Sequence, residues 1–350
     1  MVKKKSKGFL WKLLLVILIC LGTGTYLAYR NIYQANVNLK GNKSRVIYIP
    51  RETSYARLLE ILSEENIIVN KASFRWLANK MQLEKSFKCG KYRIRKGMNN
   101  REIINLLKYG KTEKIKFTFN YLDRTSDEIA EKISKKVDIS KEELISVMRN
   151  EPLLQQKYGM NKETIRCIFT PGTYEMEWAV TLEEVMEIMY NRYLQVWTNE
   201  RIEKAKKIGL EKTEIMILAS IVQRESSIPS EQQKIAGVYL NRLQKSIKLQ
   251  ADPTVIFAKE DFSIKRVSKA DLQFDSPYNT YKYQGLPPGP ICLPNVKTID
   301  AILNFEKHNY IYFCAKPDLS GFSNFAVNYS EHLKNAREYQ QEMNKRGIFR

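Results

Sequence analysis

The segment Thr213–Leu243, TEIMILASIVQRESSIPSEQQKIAGVYLNRL, indicates two helices that meet at a turn containing proline. Residues 215–222 are almost wholly apolar, which predicts a first helix that is buried on most sides. Glu225 follows at helical spacing on the same face, so that the buried face ends in a carboxylate. Ser230 is predicted to cap the second helix, and Gln233 to complete a capping box.

Glu225 has the placement of a general acid. Burial at the end of a helix disfavours the charged form of a carboxyl group and raises its pKa, which general-acid chemistry near neutral pH requires. The alternative is that Glu225 forms an ion pair with a nearby cation, and Arg224 is adjacent to it. The helix pattern alone leaves both interpretations open.

This segment and several that follow it resemble the endolytic murein transglycosylases, the MltG or YceG-like family. Residues 218–225, LASIVQRE, are similar to the L-A-S-I-[VI]-E-K-E segment of that family. Uncommon tripeptides recur in the family's order and spacing, so the match is more specific than a lone short motif. The other matching segments are VYLNRL (238–243), LQADPTVI (249–256), YNTY (278–281) and GLPPGPI (285–291).

The resemblance implies that Glu225, the last residue of LASIVQRE, is the catalytic residue. Three positions depart from the family pattern. Gln223 stands where a Glu is often found, Gly172 replaces an Asp, and Ser323 stands where a His is common. The first two do not affect the proposed acid, whereas Ser323 puts in doubt a role for a His at that position.

The resemblance also implies a reaction that needs only one carboxylate. A glycoside hydrolase ordinarily uses two. In lytic transglycosylases the glutamic acid protonates the glycosidic oxygen between MurNAc and GlcNAc, and its carboxylate then takes the proton of the C6 hydroxyl of the same muramic acid. That hydroxyl attacks its own anomeric carbon and leaves a 1,6-anhydro end. Because intramolecular attack has a high effective molarity, no second carboxylate has to activate water.

The function expected from this resemblance is that of a lyase, an endolytic peptidoglycan transglycosylase that cleaves within nascent strands and ends their elongation. Two alternatives remain. One is a non-catalytic, membrane-anchored scaffold that binds peptidoglycan. The other is hydrolysis of the same glycosidic bond, which differs only in its product.

The predicted fold class is α+β: an N-terminal transmembrane helix, a small LysM-like βααβ module and a larger mixed α/β catalytic domain. The 350 residues are enough for this organisation. The expected boundaries are a cytoplasmic tail at 1–12, a transmembrane helix at 13–29, a tether at 30–44, the LysM-like module at 45–114 and a YceG-like catalytic domain at 115–350.

The first thirty residues indicate a single pass through the cell (inner) membrane. Several lysines precede the uncharged run 13–29, and Lys12 can extend its side chain to the interface. Basic residues on this side favour a cytoplasmic N-terminus and place the catalytic domain on the periplasmic or extracellular side. The alternative is a cleavable signal peptide at the small residues 22–24, but no A-x-A-like site follows.

Residues 45–110 show the order strand, two helices, strand. RVIYIP (45–50) and GKYRIRKG (90–97) are the two strand candidates. This order and the second strand resemble a LysM module, which binds glycans containing N-acetylglucosamine. The alternative is a packing module without affinity for sugars, and the sequence does not decide between the two.

The formal net charge of +20 calls for an acidic partner: nucleic acid, anionic lipid or an anionic cell-wall polymer. No nucleic-acid-binding signature accompanies the charge, so nucleic acid is not expected. The expected partners are peptidoglycan strands, the cytoplasmic membrane, and peptidoglycan polymerases of the elongation or division machinery. The widely spaced cysteines and the two histidines, His308 and His332, indicate neither a metal site nor a cofactor.

Residues 250–294 are rich in Pro, Gly, Asn and aromatic residues, which suits a loop that binds sugars. Gln250, Asn279 and Tyr281 are the predicted sugar contacts. Asp252 precedes Pro253 and is therefore predicted to cap a helix, with substrate binding as its second role. The carboxylates that could compete with Glu225 as the acid are, in order, Asp252, Asp271 and Glu331.

Other patterns predict elements of the catalytic domain. IKFTF (115–119) alternates as a half-buried strand does, and YIYFC (310–314) indicates a buried strand. Ser330 is predicted to cap the last helix. Three capping boxes are expected to begin helices, at Thr125, Ser140 and Thr181.

Overall fold

The computed structural model describes residues 6–347, and the side chains of residues 9–347. The chain divides into two compact units. The first contains the residues up to 115 together with 136–138 and 175–181, and the second contains the rest.

The first unit begins with a long apolar helix, α1 (Ser6–Tyr33). Its segment Phe9–Tyr33 has 25 residues, and the most apolar 18-residue stretch has a mean hydropathy of 1.9 and is not buried. At 1.5 Å per residue this segment is about 37 Å long, which exceeds the hydrocarbon thickness of a bilayer. Helix α1 is therefore long and apolar enough to anchor the chain in a membrane, and it extends beyond the predicted span 13–29.

The predicted βααβ order after α1 is confirmed. Its elements are β1 (Ser44–Ile49), α2 (Tyr55–Glu64), α3 (Lys71–Lys80), β2 (Gly90–Arg95) and α4 (Asn100–Tyr109). Strands β1 and β2 are antiparallel, with Ser44 opposite Arg95 and Ile49 opposite Gly90. Their inward side chains pack with those of the three helices in one apolar core that includes Ile47, Leu58, Phe74, Tyr92 and Ile103.

Part of the predicted tether 30–44 is packed structure. Asn36 is buried, and its amide donates to the carbonyl of Asn70 (3.0 Å) and to Oδ1 of Asn100 (2.6 Å). Asn100 in turn donates to the carbonyl of Asn31 in α1 (2.7 Å). Because buried amides of this kind must be paired, these bonds fasten the end of α1 to the module. The predicted tether is therefore packed against the module at these residues.

Beyond α4 the chain is mixed α/β, as predicted. Its strands are β3 (Ile115–Phe119), β4 (Gly172–Met176), β5 (Tyr312–Ala315) and β6 (Ser323–Ala326). Strands β3 and β4 pair with each other, and β5 pairs antiparallel with β6. The helices are α5 (Ser126–Ser134), α6 (Lys141–Met148), α7 (Glu151–Tyr158), α8 (Leu182–Val196), α9 (Asn199–Ile208), α10 (Lys212–Glu225), α11 (Pro229–Gln244), α12 (Asp252–Lys259), α13 (Val296–Leu303) and α14 (Tyr329–Lys345).

Local signals located several helix starts correctly. The capping boxes at Thr125 and Ser140 are present, and α8 begins directly after Thr181. The strand predicted at 115–119 is β3.

Three other local predictions are wrong. Helix α11 begins at Pro229 rather than after Ser230, because proline lacks an N–H to be capped and its fixed φ suits the first helical position. Asn328, not Ser330, caps α14, accepting from the N–H of Glu331 at 2.9 Å. The strand predicted at 310–314 begins at Tyr312 and is only half-buried.

Helix α10 is the centre of the second unit. All residues from Ile215 to Val222 are buried, as the apolar run predicts, and the helix contacts α9, α11, α12 and α13. Gly237 allows α11 to lie close to the chain before β5. A Cβ atom at this position would lie 2.5 Å from the carbonyl oxygen of Glu306, so only glycine permits this approach.

Candidate active site

The site is built on the last residue of α10. Glu225 is partly exposed there, and the turn after it leads into α11, which carries the buried Tyr239. The hydroxyl of Tyr239 donates a hydrogen bond of 2.7 Å to Oε1 of Glu225. One carboxyl oxygen is thus held from inside the protein, and Glu225 lines two cavities.

Burial raises the pKa of Glu225 to about 7. The hydrogen bond from Tyr239 and the charge of Arg224 lower this pKa, and the negative charge of Asp252 raises it. Within the described residues 6–347, Glu225 has no ion-pair partner within 4.0 Å, so the alternative pairing with Arg224 is not formed. A carboxyl group with this pKa can both give and take a proton near neutral pH.

Asp252 lies beside Glu225 but does not cap a helix. It is the first residue of α12, whose N-cap is Ala251. Its Oδ1 accepts a hydrogen bond of 2.6 Å from the hydroxyl of Tyr281. The predicted capping role is wrong because the extended cap conformation falls one residue earlier, which leaves the carboxylate at the cavity wall.

Glu225 and Asp252 border a cavity of about 370 Å³. Its aromatic wall consists of Tyr281, Tyr312 and other ring side chains, and the polar side chains Arg242 and Gln250 complete it. Flat apolar faces next to hydrogen-bonding groups suit a pyranose ring, whose faces stack on aromatic rings while its hydroxyls bind polar groups.

Of the predicted sugar contacts, the structure brings Gln250 and Tyr281 to this cavity but not Asn279. Asn279 is fully buried, and its amide donates to the carbonyls of Leu272 (3.0 Å) and Phe274 (2.7 Å). Its Oδ1 accepts from the backbone N–H of Tyr281 at 3.0 Å. The predicted sugar contact is therefore wrong, because Asn279 uses its amide to hold the loop that carries Tyr281.

The other competing carboxylates are engaged elsewhere. Asp271 is paired with Lys259, and hydrogen bonds from Lys259 and Ser268 hold its pKa well below the usual range. Glu331 accepts the backbone N–H of Val327 at 3.1 Å at the start of α14. Neither residue lines the cavity next to Glu225.

The sequence patterns missed two further residues of the cavity, Arg242 and His332. Arg242 is buried and donates to the carbonyls of Ile311 (2.6 Å) and Leu249 (2.9 Å), which joins two loops at the cavity. His332 stacks on Tyr312, and burial lowers its pKa. Arg242 follows Tyr239 by three residues on α11, so helical spacing could have placed the two side chains next to each other. No sequence pattern indicates a site role for the isolated His332.

Two of the departures from the family pattern have structural partners. Oε1 of Gln223 accepts the hydroxyl of Thr298 at 2.6 Å, and the N–H of Ser323 donates to Oε2 of the buried Glu231 at 2.9 Å. Gly172 has a φ of +146°, a conformation that other residues rarely adopt. None of the three contacts Glu225 through these groups.

Comparison with known proteins confirms the resemblance. Residues 47–338 match the YceG-like family. An endolytic murein transglycosylase of Bacillus subtilis is 30% identical over 326 residues, which cover 88% of each chain. One from Streptococcus pneumoniae is 24% identical over 93% of this chain and 64% of the relative.

A solved structure agrees with this assignment. The crystal structure of a yceG-like protein from Listeria monocytogenes superposes with a TM-score of 0.54 at 26% identity, covering 84% of this chain and 99% of that one. The chain belongs to the YceG-like family.

Substitution of Tyr239 by Phe should raise the pKa of Glu225 above its value of about 7, because the hydrogen bond that favours the carboxylate is lost while burial is kept. The pKa can be measured by ¹³C NMR titration of carboxyl-labelled glutamate, with Glu225→Gln to assign the signal. Tyr193→Phe, another buried tyrosine of this unit, is the matched control and should leave the signal unchanged. An unchanged or lower pKa in Tyr239→Phe would contradict the assigned geometry.

Proposed function

We propose that this chain is a membrane-anchored endolytic murein transglycosylase, which cleaves the MurNAc–GlcNAc bond within nascent strands, forms 1,6-anhydro-MurNAc ends and so terminates elongation. The observation that carries the proposal is a single carboxyl group, Glu225, with a pKa of about 7 at the wall of an aromatic cavity. The names of the relatives in Bacillus subtilis and Streptococcus pneumoniae support the same activity.

In this mechanism Glu225 acts twice. Tyr239 binds Oε1, so the protonated group presents Oε2 to the glycosidic oxygen and donates its proton as the bond to the anomeric carbon breaks. The resulting carboxylate takes the proton of the C6 hydroxyl, whose oxygen closes on the same anomeric carbon. The proton balance is restored without water. Asp252, held by Tyr281, faces the same cavity and can stabilise positive charge at the anomeric carbon.

Substitution of Glu225 by Gln should lower the turnover of purified strands by at least about 10²–10⁴-fold, because the amide cannot give and retrieve a proton. The variant should fold, because Gln is nearly isosteric and its amide oxygen can accept from Tyr239.

Above pH 7 the Glu225→Gln chain should have a higher melting temperature than the parent chain. In the parent, the raised pKa of Glu225 makes ionisation costly to the folded state, and this cost disappears as the pH falls towards 4.

Asp252→Asn is the matched control for Glu225→Gln. The hydroxyl of Tyr281 can still donate to the amide oxygen, so we expect a smaller loss of turnover. Mass spectrometry of the released ends separates the alternatives: anhydro ends for a transglycosylase, reducing ends for a hydrolase, and no new ends for a scaffold. A folded Glu225→Gln chain with near wild-type cleavage would refute the mechanism, and an equally inactive Asp252→Asn chain would indicate a two-carboxylate hydrolase.

The proposal requires α1 to cross the membrane with its N-terminus in the cytoplasm and residues 30–350 outside. The lysines before α1 support this orientation, because positively charged flanks are retained in the cytoplasm. It also places the protein beside the peptidoglycan polymerases of elongation or division, which we propose as its partners.

A reporter enzyme that is active only outside the cytoplasm should be active when it is fused after residue 350. The same reporter fused before residue 1 should be inactive. The reverse pattern would exclude this topology, and with it access of the site to nascent strands.

We further propose that the βααβ module of residues 45–114 is LysM-like in function and binds glycan. The module is rich in lysine and arginine, but Lys91 and Arg93 both pair with Glu113 and so contribute less free positive charge. Lys85, Lys88 and Lys96 are exposed, and among the described residues they have no ion-pair partner.

Changing Lys85, Lys88 and Lys96 together to Gln should weaken the binding of long strands several-fold, measured by co-sedimentation of the inactive Glu225→Gln chain. The control changes three exposed lysines of the second unit, Lys245, Lys307 and Lys334, and so alters the net charge equally. Equal binding by the two triple variants would remove the binding role of the module.

A further inference from the structure

Glu225 and Asp252 also border a second cavity, of about 400 Å³, which three positively charged side chains line as well. Arg124, Arg224 and the exposed Lys265 line it, together with apolar side chains such as Phe262. The first cavity contains one arginine, Arg242, whereas the second contains two.

Arg124 and Arg224 lack the carboxylate partners that charged guanidinium groups usually have. Arg124 stacks its guanidinium over the ring of Phe262, with Cζ 4.0 Å from the ring centroid, and its buried Nε has no hydrogen-bond partner in the described part of the chain. Between residues 6 and 347, neither Arg124 nor Arg224 has a carboxylate within 4.0 Å. A buried donor without an acceptor costs about 1–3 kcal/mol, more when it is charged.

The two charges also act on each other. Burial and the nearby charge of Arg224 lower the pKa of Arg124, which means that the pair is held together against repulsion. Arg224 lowers the pKa of Glu225, but the groups that shift that pKa do not include Arg124. The shift in the pKa of Glu225 therefore does not explain why Arg124 lies at this cavity.

An anion bound between the two guanidinium groups would satisfy both. Arginine presents a planar fork of N–H donors that matches the two oxygens of a carboxylate, and stacking on Phe262 fixes the plane of that fork. The anionic groups of a murein strand are carboxylates, carried on the lactyl ether of each muramic acid or on the peptide attached to it.

We propose that this cavity is a subsite for a carboxylate of the murein substrate, held by Arg124 and Arg224 next to the bond that Glu225 cleaves. This inference rests on the proposed function and adds its substrate class: strands with an anionic substituent on the muramic acid are preferred over neutral chitin-like chains. In peptide-bearing strands the carboxylate belongs to the peptide, and in peptide-free strands it is the lactyl carboxylate.

The test measures binding to the inactive Glu225→Gln chain by calorimetry. The probes are three tetrasaccharides: peptide-bearing GlcNAc–MurNAc repeats, the same repeats without peptide, and chitotetraose, which has no carboxylate. Arg124→Gln should weaken the binding of a carboxylate-bearing probe about tenfold or more and leave chitotetraose within about twofold. Arg124→Lys should restore part of the loss, because it keeps the charge but not the fork.

Arg266→Gln, an exposed arginine of the same loop as Phe262, is the matched control and should bind all three probes like the parent. Loss with only the peptide-bearing probe assigns the carboxylate to the peptide, loss with only the peptide-free probe assigns it to the lactyl group, and loss with both shows that the subsite accepts either carboxylate. The proposal is overturned if Arg124→Gln weakens chitotetraose equally or changes no affinity.

Turnover is measured separately in the chain that retains Glu225. Absence of cleavage there would refute the proposed function, whereas the binding pattern would still decide on the subsite. Thermal melting of each variant separates a loss of the fold from a loss of the carboxylate contact.

Discussion

The hydrogen bond between the hydroxyl of Tyr239 and Glu225 is the constraint on which the site depends. It joins the end of α10, where Glu225 is partly exposed, to the buried Tyr239 in the middle of α11. Burial raises the pKa of Glu225, and the hydrogen bond from Tyr239 lowers it. The resulting pKa of about 7 allows the carboxyl group to release a proton near neutral pH. The same contact binds Oε1 of Glu225 from inside the protein. The packing of both helices, including the close approach at Gly237, serves to hold this geometry.

A local sequence pattern was sufficient to predict an element where the residues of that one segment determine its structure. The apolar run before Glu225 predicted a buried helix ending in a carboxylate, and the alternation in IKFTF predicted β3. The mixed α/β class, the βααβ order and the apolar helix α1 could be predicted in the same way. In each case the spacing of apolar side chains along the segment matches the face that the folded chain buries.

The wrong or missing predictions concern residues whose roles depend on how a loop folds or on a distant part of the chain. Asn279 has the amide expected of a sugar contact, but the folding of its loop uses that amide on the backbone carbonyls of Leu272 and Phe274. Asp252 fits the sequence signature of a cap, yet the turn before it places the cap at Ala251. Arg124 and Arg224 are a hundred residues apart, so no local pattern shows that they share a cavity.

The bonds of Asn36 and Asn100 have a consequence for how the first unit is presented at a membrane. A flexible tether of the length expected for residues 30–44 would let the module range over about 20 Å. Here the end of α1 is fastened to the module through the carbonyl of Asn31, so no such slack exists. As an anchor, the 25-residue apolar segment of α1 exceeds an average bilayer and accommodates the excess by tilting. A module that is fastened to this anchor tilts with it, so the orientation of the module at a membrane follows that of α1.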